Sequence, residues 1–269
     1  MIIPARQDGC PYLSGLRIQQ CVRRFGDGAG SRIEGATMNT PRIREQTPPI
    51  EVPPGQTVPS ALWAWTGAVA GFAGMVGIQA SMAMGAAYDE DNAGNAVAIT
   101  AAFAEQRTAM LVMHLSLTVS TLLLLIFAAG LHRQLRASLP EFSLLPTVAA
   151  FGLVLTSAGT LLGTGLDTEL LFGLSDTDKM VPEVAVFASH WMGTIPWLWV
   201  GAGLSGLVVA VAALRHRAVP RWLGWTSLVL GGLTTLFGIS PLQYMAGFVG
   251  PVWVLVAGIG FALSARGNR

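Results

Sequence analysis

From residue 60 onward the chain alternates long apolar segments with short polar connections. The six segments lack the charged face that recurs along a surface helix of a soluble protein. They lie at about residues 60–84, 108–131, 145–168, 184–213, 222–240 and 244–264. A helix that crosses the hydrocarbon core needs about 20 apolar residues. Five of the six segments exceed this length, and the segment at 222–240 is just long enough. The pattern predicts an all-α, polytopic transmembrane bundle of about six spans over residues 60–265.

The connections between these segments are short, except at about residues 85–107 and 169–183, which we interpret as two external loops. The stretch from Asp89 to Asn92 is rich in oxygen ligands, but it lacks the spacing of a calcium loop. We interpret it as a solvated acidic loop. No connection is long enough for a soluble catalytic domain, so any chemistry must lie within the bundle or at its outer mouth.

Residues 1–59 are polar, rich in Arg, Gly and Pro, and show no helical or strand period. We predict a disordered cytoplasmic tail. Met38 is followed by a sequence typical of a protein start, so our hypothesis is that residues 1–37 are an extension of the gene model. Cys10 and Cys21 lie in this tail without the further Cys or His that a zinc site needs, and we interpret them as incidental thiols.

Basic residues are concentrated in alternate connections, which predicts the orientation of the bundle. One side carries seven Arg in the tail and seven more after it, whereas the other carries two basic residues. The seven after the tail are Arg133, Arg136, Arg215, Arg217, Arg221, Arg266 and Arg269, and the two opposite are Arg107 and Lys179. Because basic residues favour the cytoplasmic side, both termini are predicted to be cytoplasmic.

The composition agrees with a chain embedded in a lipid bilayer. Charged residues make up 12% of the sequence, about half the usual share for a soluble domain. A net charge of +1 leaves no basic domain to neutralise phosphates, so nucleic acid is not an expected partner. Small residues at helical spacing, such as Gly67 with Gly71 and Gly159 with Gly163, predict close helix packing. Packing inside the bundle is our main interpretation, and a homodimer through these faces is the alternative.

Two histidines lie within the apolar segments, at matching depths. His114 and His190 are each about six residues past the outer start of their span, or roughly 9 Å at 1.5 Å per residue. Polar positions follow each of them at helical spacing, including Thr118 after His114 and Thr194 after His190. The third span carries a similar stripe, which is Ser157, Thr160, Thr164 and Asp167. Because such stripes turn away from lipid, they predict an outward-facing polar pocket between the second, third and fourth spans.

Several functions are compatible with this pocket. His114 and His190 can be hydrogen-bonded packing residues of a non-enzymatic membrane protein, which is the interpretation we prefer. They can also ligate a haem b from its two faces in an electron carrier. With Asp167 they can hold zinc in a metal-dependent hydrolase, although we expect Asp167 to lie nearer the surface than the histidines. A transport pathway is a further possibility. We predict no cofactor, with haem b or zinc as the alternative.

Pro196 and Pro251 fall inside the fourth and sixth spans and are expected to kink them. Between spans, the stretch Arg215 to Trp225, RHRAVPRWLGW, joins a basic helix end to a Pro-Arg-Trp-Leu-Gly-Trp helix start. This stretch resembles uncharacterised, actinobacterial-type families of polytopic inner-membrane proteins. The resemblance covers about residues 60–240. It implies a bacterial plasma membrane protein without known catalysis, and it supplies no catalytic residues.

Overall fold

Eight α-helices make up most of residues 61–267, the part of the chain that this computed structural model describes. They are α1 Leu62–Ser81, α2 Ala96–Glu105, α3 Arg107–Ser138, α4 Leu145–Gly173, α5 Pro182–Thr194, α6 Val200–Leu214, α7 Arg221–Ile239 and α8 Ala246–Gly267. No strand occurs between residues 61 and 267. All eight helices belong to one compact unit of the chain. The predictions for residues 1–59 lie outside the described residues.

Five helical stretches of this region are long and apolar enough to cross a membrane. They are Arg107–Ser138, Leu145–Gly173, Pro182–Leu214, Arg221–Ile239 and Gln243–Ala265. The prediction of an all-α bundle with membrane-spanning helices is therefore confirmed. The remaining predicted span, the first at 60–84, forms α1, which has 20 residues and no Asp, Glu, Lys or Arg. Its glycines and its polar Thr, Gln and Ser residues lower its hydropathy, and the count of six spans stays a prediction.

The long helices pack in the order of the chain and close into a ring. Helix α1 packs against α3 and α8, and each later helix packs against the next, from α3 through α4, α6 and α7 to α8. The connections at residues 139–144 and 215–220 lie at one end, which we call the basic end. Residues 82–106, 174–181 and 240–245 form the opposite end, which we call the α2 end.

Glycines bring two of these helices into backbone contact. A Cβ on Gly71 of α1 would lie 2.6 Å from the Pro251 carbonyl oxygen of α8 and would also meet the backbone of Leu255. A Cβ on Gly258 of α8 would in turn meet the backbone nitrogen of Ala68. The predicted close packing through small residues inside the bundle is therefore confirmed. The homodimer stays a prediction.

The fourth span is interrupted near its middle, as Pro196 predicts. Helix α5 ends at Thr194, a 3-10 segment runs over Ile195–Trp199, and α6 begins at Val200. Proline has no N–H to donate and its ring crowds the preceding turn, so the regular α-helix ends there. Pro251, in contrast, lies within an α8 that continues without interruption from Ala246 to Gly267.

Residues 85–107 are not only a loop, which corrects the sequence prediction. They include α2, whose first turn is capped by the Asn95 side chain, which accepts a hydrogen bond from the Ala98 N–H at 3.1 Å. Ile99 and Phe103 of α2 are buried with Met110 and Met113 of α3 in an apolar cluster at the α2 end. The helix has 10 residues, too few to be recognised as a membrane span.

Candidate functional site

The structure places the two histidines in separate clefts. His114 lies between α3 and α4, in a cleft of about 550 Å³ that Arg107, Thr108 and Thr168 also line; we call it the His114 cleft. His190 is exposed on α5, in a second cleft of about 530 Å³ beside α2. The two clefts share no lining residue. Of the predicted pocket residues, these clefts contain only His114 and His190, and the shared pocket between the second, third and fourth spans stays a prediction.

His190 instead contacts the loop that follows α1. The Tyr88 ring meets the imidazole edge-on, with ring centroids 5.8 Å apart and an interplanar angle of 89°. Glu183 lines the same cleft two turns earlier on α5. This cleft therefore lies at the α2 end of the bundle, beneath α2 and its flanking turns.

Asp167 is the most deeply buried of the predicted site residues. It is 2% exposed, whereas His114 is half-buried and His190 is exposed. Burial does not test the expectation that Asp167 lies nearer the outer end of its span than the histidines, so that expectation stays a prediction. Asp167 belongs to the inward face of α4, and the stripe of Ser157, Thr160, Thr164 and Asp167 is buried along its length, as predicted.

The two threonines that follow the histidines form hydrogen bonds within their own helices. The Thr118 hydroxyl donates to the His114 carbonyl oxygen at 2.8 Å, and the Thr194 hydroxyl donates to the His190 carbonyl oxygen at 2.9 Å. Both hydroxyls thus have a local acceptor and require no ligand as a partner. This pattern is common for Thr and Ser in membrane helices.

The three residues considered for a metal do not form a cluster. Among residues 61–267 there is no group of three or more His, Cys, Asp or Glu side chains placed to share a metal ion. His114 and His190 line different clefts, and Asp167 lines neither. The haem b and zinc alternatives stay predictions.

The three helices that were predicted to line a pocket share another feature, which is buried polar atoms without hydrogen-bond partners. Seven buried side-chain atoms in the described region have no hydrogen-bond partner: Gln106 Oε1, His114 Nδ1, Thr121 Oγ1, Asp167 Oδ2, Ser189 Oγ, Trp191 Nε1 and Trp199 Nε1. We call these residues the unpartnered set. All of them belong to α3 and the residue before it, to α4, or to α5 and the 3-10 segment that follows. None lies on α1, α6, α7 or α8.

Other buried polar side chains, on α3 as well as on α6 and α8, do have partners. The Ser120 hydroxyl donates to the Ala70 carbonyl oxygen at 2.9 Å, and the Ser205 hydroxyl donates to the Ala149 carbonyl oxygen at 2.7 Å. Trp253 donates from Nε1 to the Ser227 hydroxyl at 3.0 Å. Buried polar groups in proteins are normally paired. The part of the bundle formed by α3, α4 and the fourth span is therefore unusual, because its buried polar atoms without hydrogen-bond partners are concentrated there.

Helix register brings members of the unpartnered set to a similar level. Ser157 donates to the Thr121 carbonyl oxygen at 3.2 Å and Arg107 donates to the Leu171 carbonyl oxygen at 3.3 Å, so α3 and α4 run antiparallel in one register. This register places Asp167 about one helical turn, ~5 Å, from the level of His114. Gly163 faces Ile195 across the interface with the fourth span. Continuing that register places Trp191 level with Asp167.

Four members of the unpartnered set were not predicted from the sequence, namely Gln106, Ser189, Trp191 and Trp199. Ser189 and Trp191 directly flank His190, but they lie on other faces of α5. In the sequence, these two residues are distinguished only by their position next to a histidine in an apolar span. That position does not show which face of the helix is buried. Gln106 joins α2 to α3, so it could not be placed before α2 was known.

Together these features define a polytopic α-helical membrane protein with a buried polar region on three of its helices. Comparison with known protein families, curated proteins and solved structures finds no match for this chain. Its function must therefore be argued from the polar region itself.

Proposed function

We propose that this protein is a non-enzymatic membrane protein that admits a small polar solute between α3, α4 and α5. The observation that carries the proposal is the restriction of the unpartnered set to these helices. The set includes the donor Trp191 Nε1 and the acceptor Asp167 Oδ2. A small solute or solvent that both donates and accepts hydrogen bonds would satisfy such groups.

The charge of the region favours a cationic solute. Asp167 is the one ionisable side chain among the fully buried residues of the described region. The only ion pair in that region joins Lys179 to Asp176 in the connection between α4 and α5, so Asp167 has no basic partner. A carboxylate inside a membrane is costly to bury and often marks the path of a proton or cation.

The solute is proposed to enter from outside the cell. Of the seven atoms in the unpartnered set, Gln106 Oε1 lies at the α2 end and His114, Asp167, Ser189 and Trp191 follow within the adjoining turns of their helices. The two basic residues opposite the main basic clusters, Arg107 and Lys179, also lie at the α2 end. The positive-inside rule therefore favours an external position for this end.

Cysteine accessibility tests the proposal. In the full chain with Cys10→Ser and Cys21→Ser, we expect Thr164→Cys and Ser189→Cys to react with a small, water-soluble thiosulfonate reagent added outside intact cells. Both positions are at most 3% exposed, so they react quickly only if water reaches them inside the bundle. The measurement is the rate of modification, followed by the mass shift of the purified protein.

Two equally buried hydroxyl positions provide the control. Ser205→Cys and Ser227→Cys replace side chains that are 0% exposed and already have hydrogen-bond partners. They are expected to react far more slowly from either side. Equal rates at all four positions would contradict a solute-accessible region, and faster reaction from the cytoplasmic side would contradict the proposed direction of entry.

Asp167→Asn is expected to remove the preference for positive charge. A unit charge about 10 Å away contributes ~1.7 kcal/mol at an effective dielectric constant of about 20. Because the charge attracts the cation and repels the anion by this amount, the ratio of modification rates at Ser189→Cys for a cationic against an anionic thiosulfonate should fall by roughly two orders of magnitude in the Asp167→Asn background. Glu183→Gln, which changes an exposed carboxylate on α5, is the matched control. An unchanged ratio in Asp167→Asn would show that Asp167 does not select charge.

A further inference from the structure

The His114 cleft is a different site, with an apolar wall that faces the membrane. It runs along the first turns of α3 and the last turns of α4. Leu111, Leu115 and Phe172 line it and are 47%, 56% and 75% exposed. Because both helices are long and apolar enough to cross a membrane, these exposed side chains face hydrocarbon. The cleft therefore opens sideways toward lipid.

A cation lies at the end of the cleft where the membrane interface is expected. Arg107 is the first residue of α3, and its guanidinium donates one hydrogen bond in the described region, to the Leu171 carbonyl oxygen. A guanidinium has five N–H donors, so most of them remain available for an anion. Thr108 and Thr168 add hydroxyl groups, and no acidic side chain lines the cleft.

A second polar group lies deeper in the same cleft. His114 follows Arg107 by seven residues, which corresponds to a depth of ~10 Å along the helix. Its Nδ1 atom is buried and has no hydrogen-bond partner.

We propose that the His114 cleft binds an anionic membrane lipid. The headgroup phosphate contacts Arg107 and Thr108, the ester region lies toward His114, and an acyl chain follows Leu111, Leu115 and Phe172. Arginine binds phosphate through paired N–H donors, and the apolar wall accounts for a lipid rather than a free anion. Asp167 lies on the inward face of α4 and does not line this cleft, whereas His114 belongs both to the cleft and to the unpartnered set.

Native mass spectrometry of the full chain, with equal amounts of phosphatidylglycerol and phosphatidylcholine of identical acyl chains, tests the proposal. We expect the wild-type protein to retain phosphatidylglycerol preferentially. Arg107→Gln should lower the ratio of retained phosphatidylglycerol to phosphatidylcholine about fivefold, the effect of one basic residue at a lipid surface. Arg136→Gln, at the opposite end of the same helix, should leave the ratio unchanged.

A second pair of variants tests the apolar wall separately. Leu111→Trp fills the cleft and is expected to reduce the number of retained lipids of either kind, whereas Leu122→Trp, equally lipid-facing on α3 but outside the cleft, is not. Equal effects of Arg107→Gln and Arg136→Gln on the lipid ratio would overturn the proposal. Equal effects of Leu111→Trp and Leu122→Trp on the number of retained lipids would overturn it as well. Displacement of the lipid by an equal concentration of inorganic phosphate would also overturn it, because a free anion would then be the occupant.

Discussion

Gly71→Leu is expected to prevent formation of the stable bundle. The new side chain would begin at a Cβ only 2.6 Å from the Pro251 carbonyl oxygen, and it would also meet the backbone of Leu255. These neighbours are backbone atoms of α8, so they cannot rotate away as a flexible side chain would. Overpacking of this kind in a close-packed interior costs ~3 kcal/mol or more, because whole helices must separate. The loss would remove the contact of α1 with α8.

The measurement is the temperature at which half of the monodisperse peak disappears in size-exclusion chromatography of heated, detergent-purified protein. Gly165→Ala provides the control, since its Cβ would meet nothing within 4 Å and Ala has the higher helix propensity by ~1 kcal/mol. We expect Gly165→Ala to be neutral or stabilising. Unchanged thermal stability of Gly71→Leu would mean that α1 and α8 are not in backbone contact.

Trp199→Ala is expected to have the second-largest effect on stability. Trp199 ends the 3-10 segment of the fourth span and is 0% exposed. Its ring lies against Gly74 of α1 and Gly250 of α8, where an added Cβ would approach it to 2.9 Å in each case. Removing the indole leaves a large cavity between three spans, and Trp→Ala changes in protein cores typically cost 3–5 kcal/mol, so we expect ~3 kcal/mol or more here.

The same thermal measurement on Trp199→Phe separates packing from hydrogen bonding. Trp199 Nε1 has no partner among the described residues, so Phe should retain most of the stability of the wild-type protein. Trp253→Phe is the comparison, because that indole donates to the Ser227 hydroxyl at 3.0 Å and its loss should cost ~0.6 kcal/mol. If Trp199→Phe were as damaging as Trp199→Ala, the Nε1 atom would have a polar partner that stabilises the bundle.

Hydropathy and helical period were sufficient to predict the membrane helices and the buried face of α4. Apolar length alone determines whether a helix can cross the bilayer, and the stripe from Ser157 to Asp167 lies on one face because 3.6 residues make a turn. The interruption at Pro196 was equally predictable, since it follows from one residue and local sterics. These properties depend only on neighbours in the sequence.

The site depends on properties that neighbours in the sequence do not determine. His114 and His190 do lie at similar distances along their spans, but the rotation of each helix directs them into different clefts. Asp167 is buried because α4 packs against α3 and the fourth span, and these contacts could not be deduced from one stripe. Helix α2 was missed for a further reason, since ten apolar residues are too few for a span and its Asn95 cap is a weak signal alone.

The ring of helices in chain order has a consequence for biosynthesis. Each hairpin that leaves the ribosome can dock at once on the helix made just before it, because α3 to α8 pack successively along the chain. Helix α1 is an exception, because one of its two neighbours is the last helix. Gly71 contacts Pro251 and Leu255 of α8, and this contact can form only after α8 has been synthesised. A nascent chain that stops before α8 therefore lacks the partner of the α1 glycine face, so the ring of helices can close only after the last helix has been made.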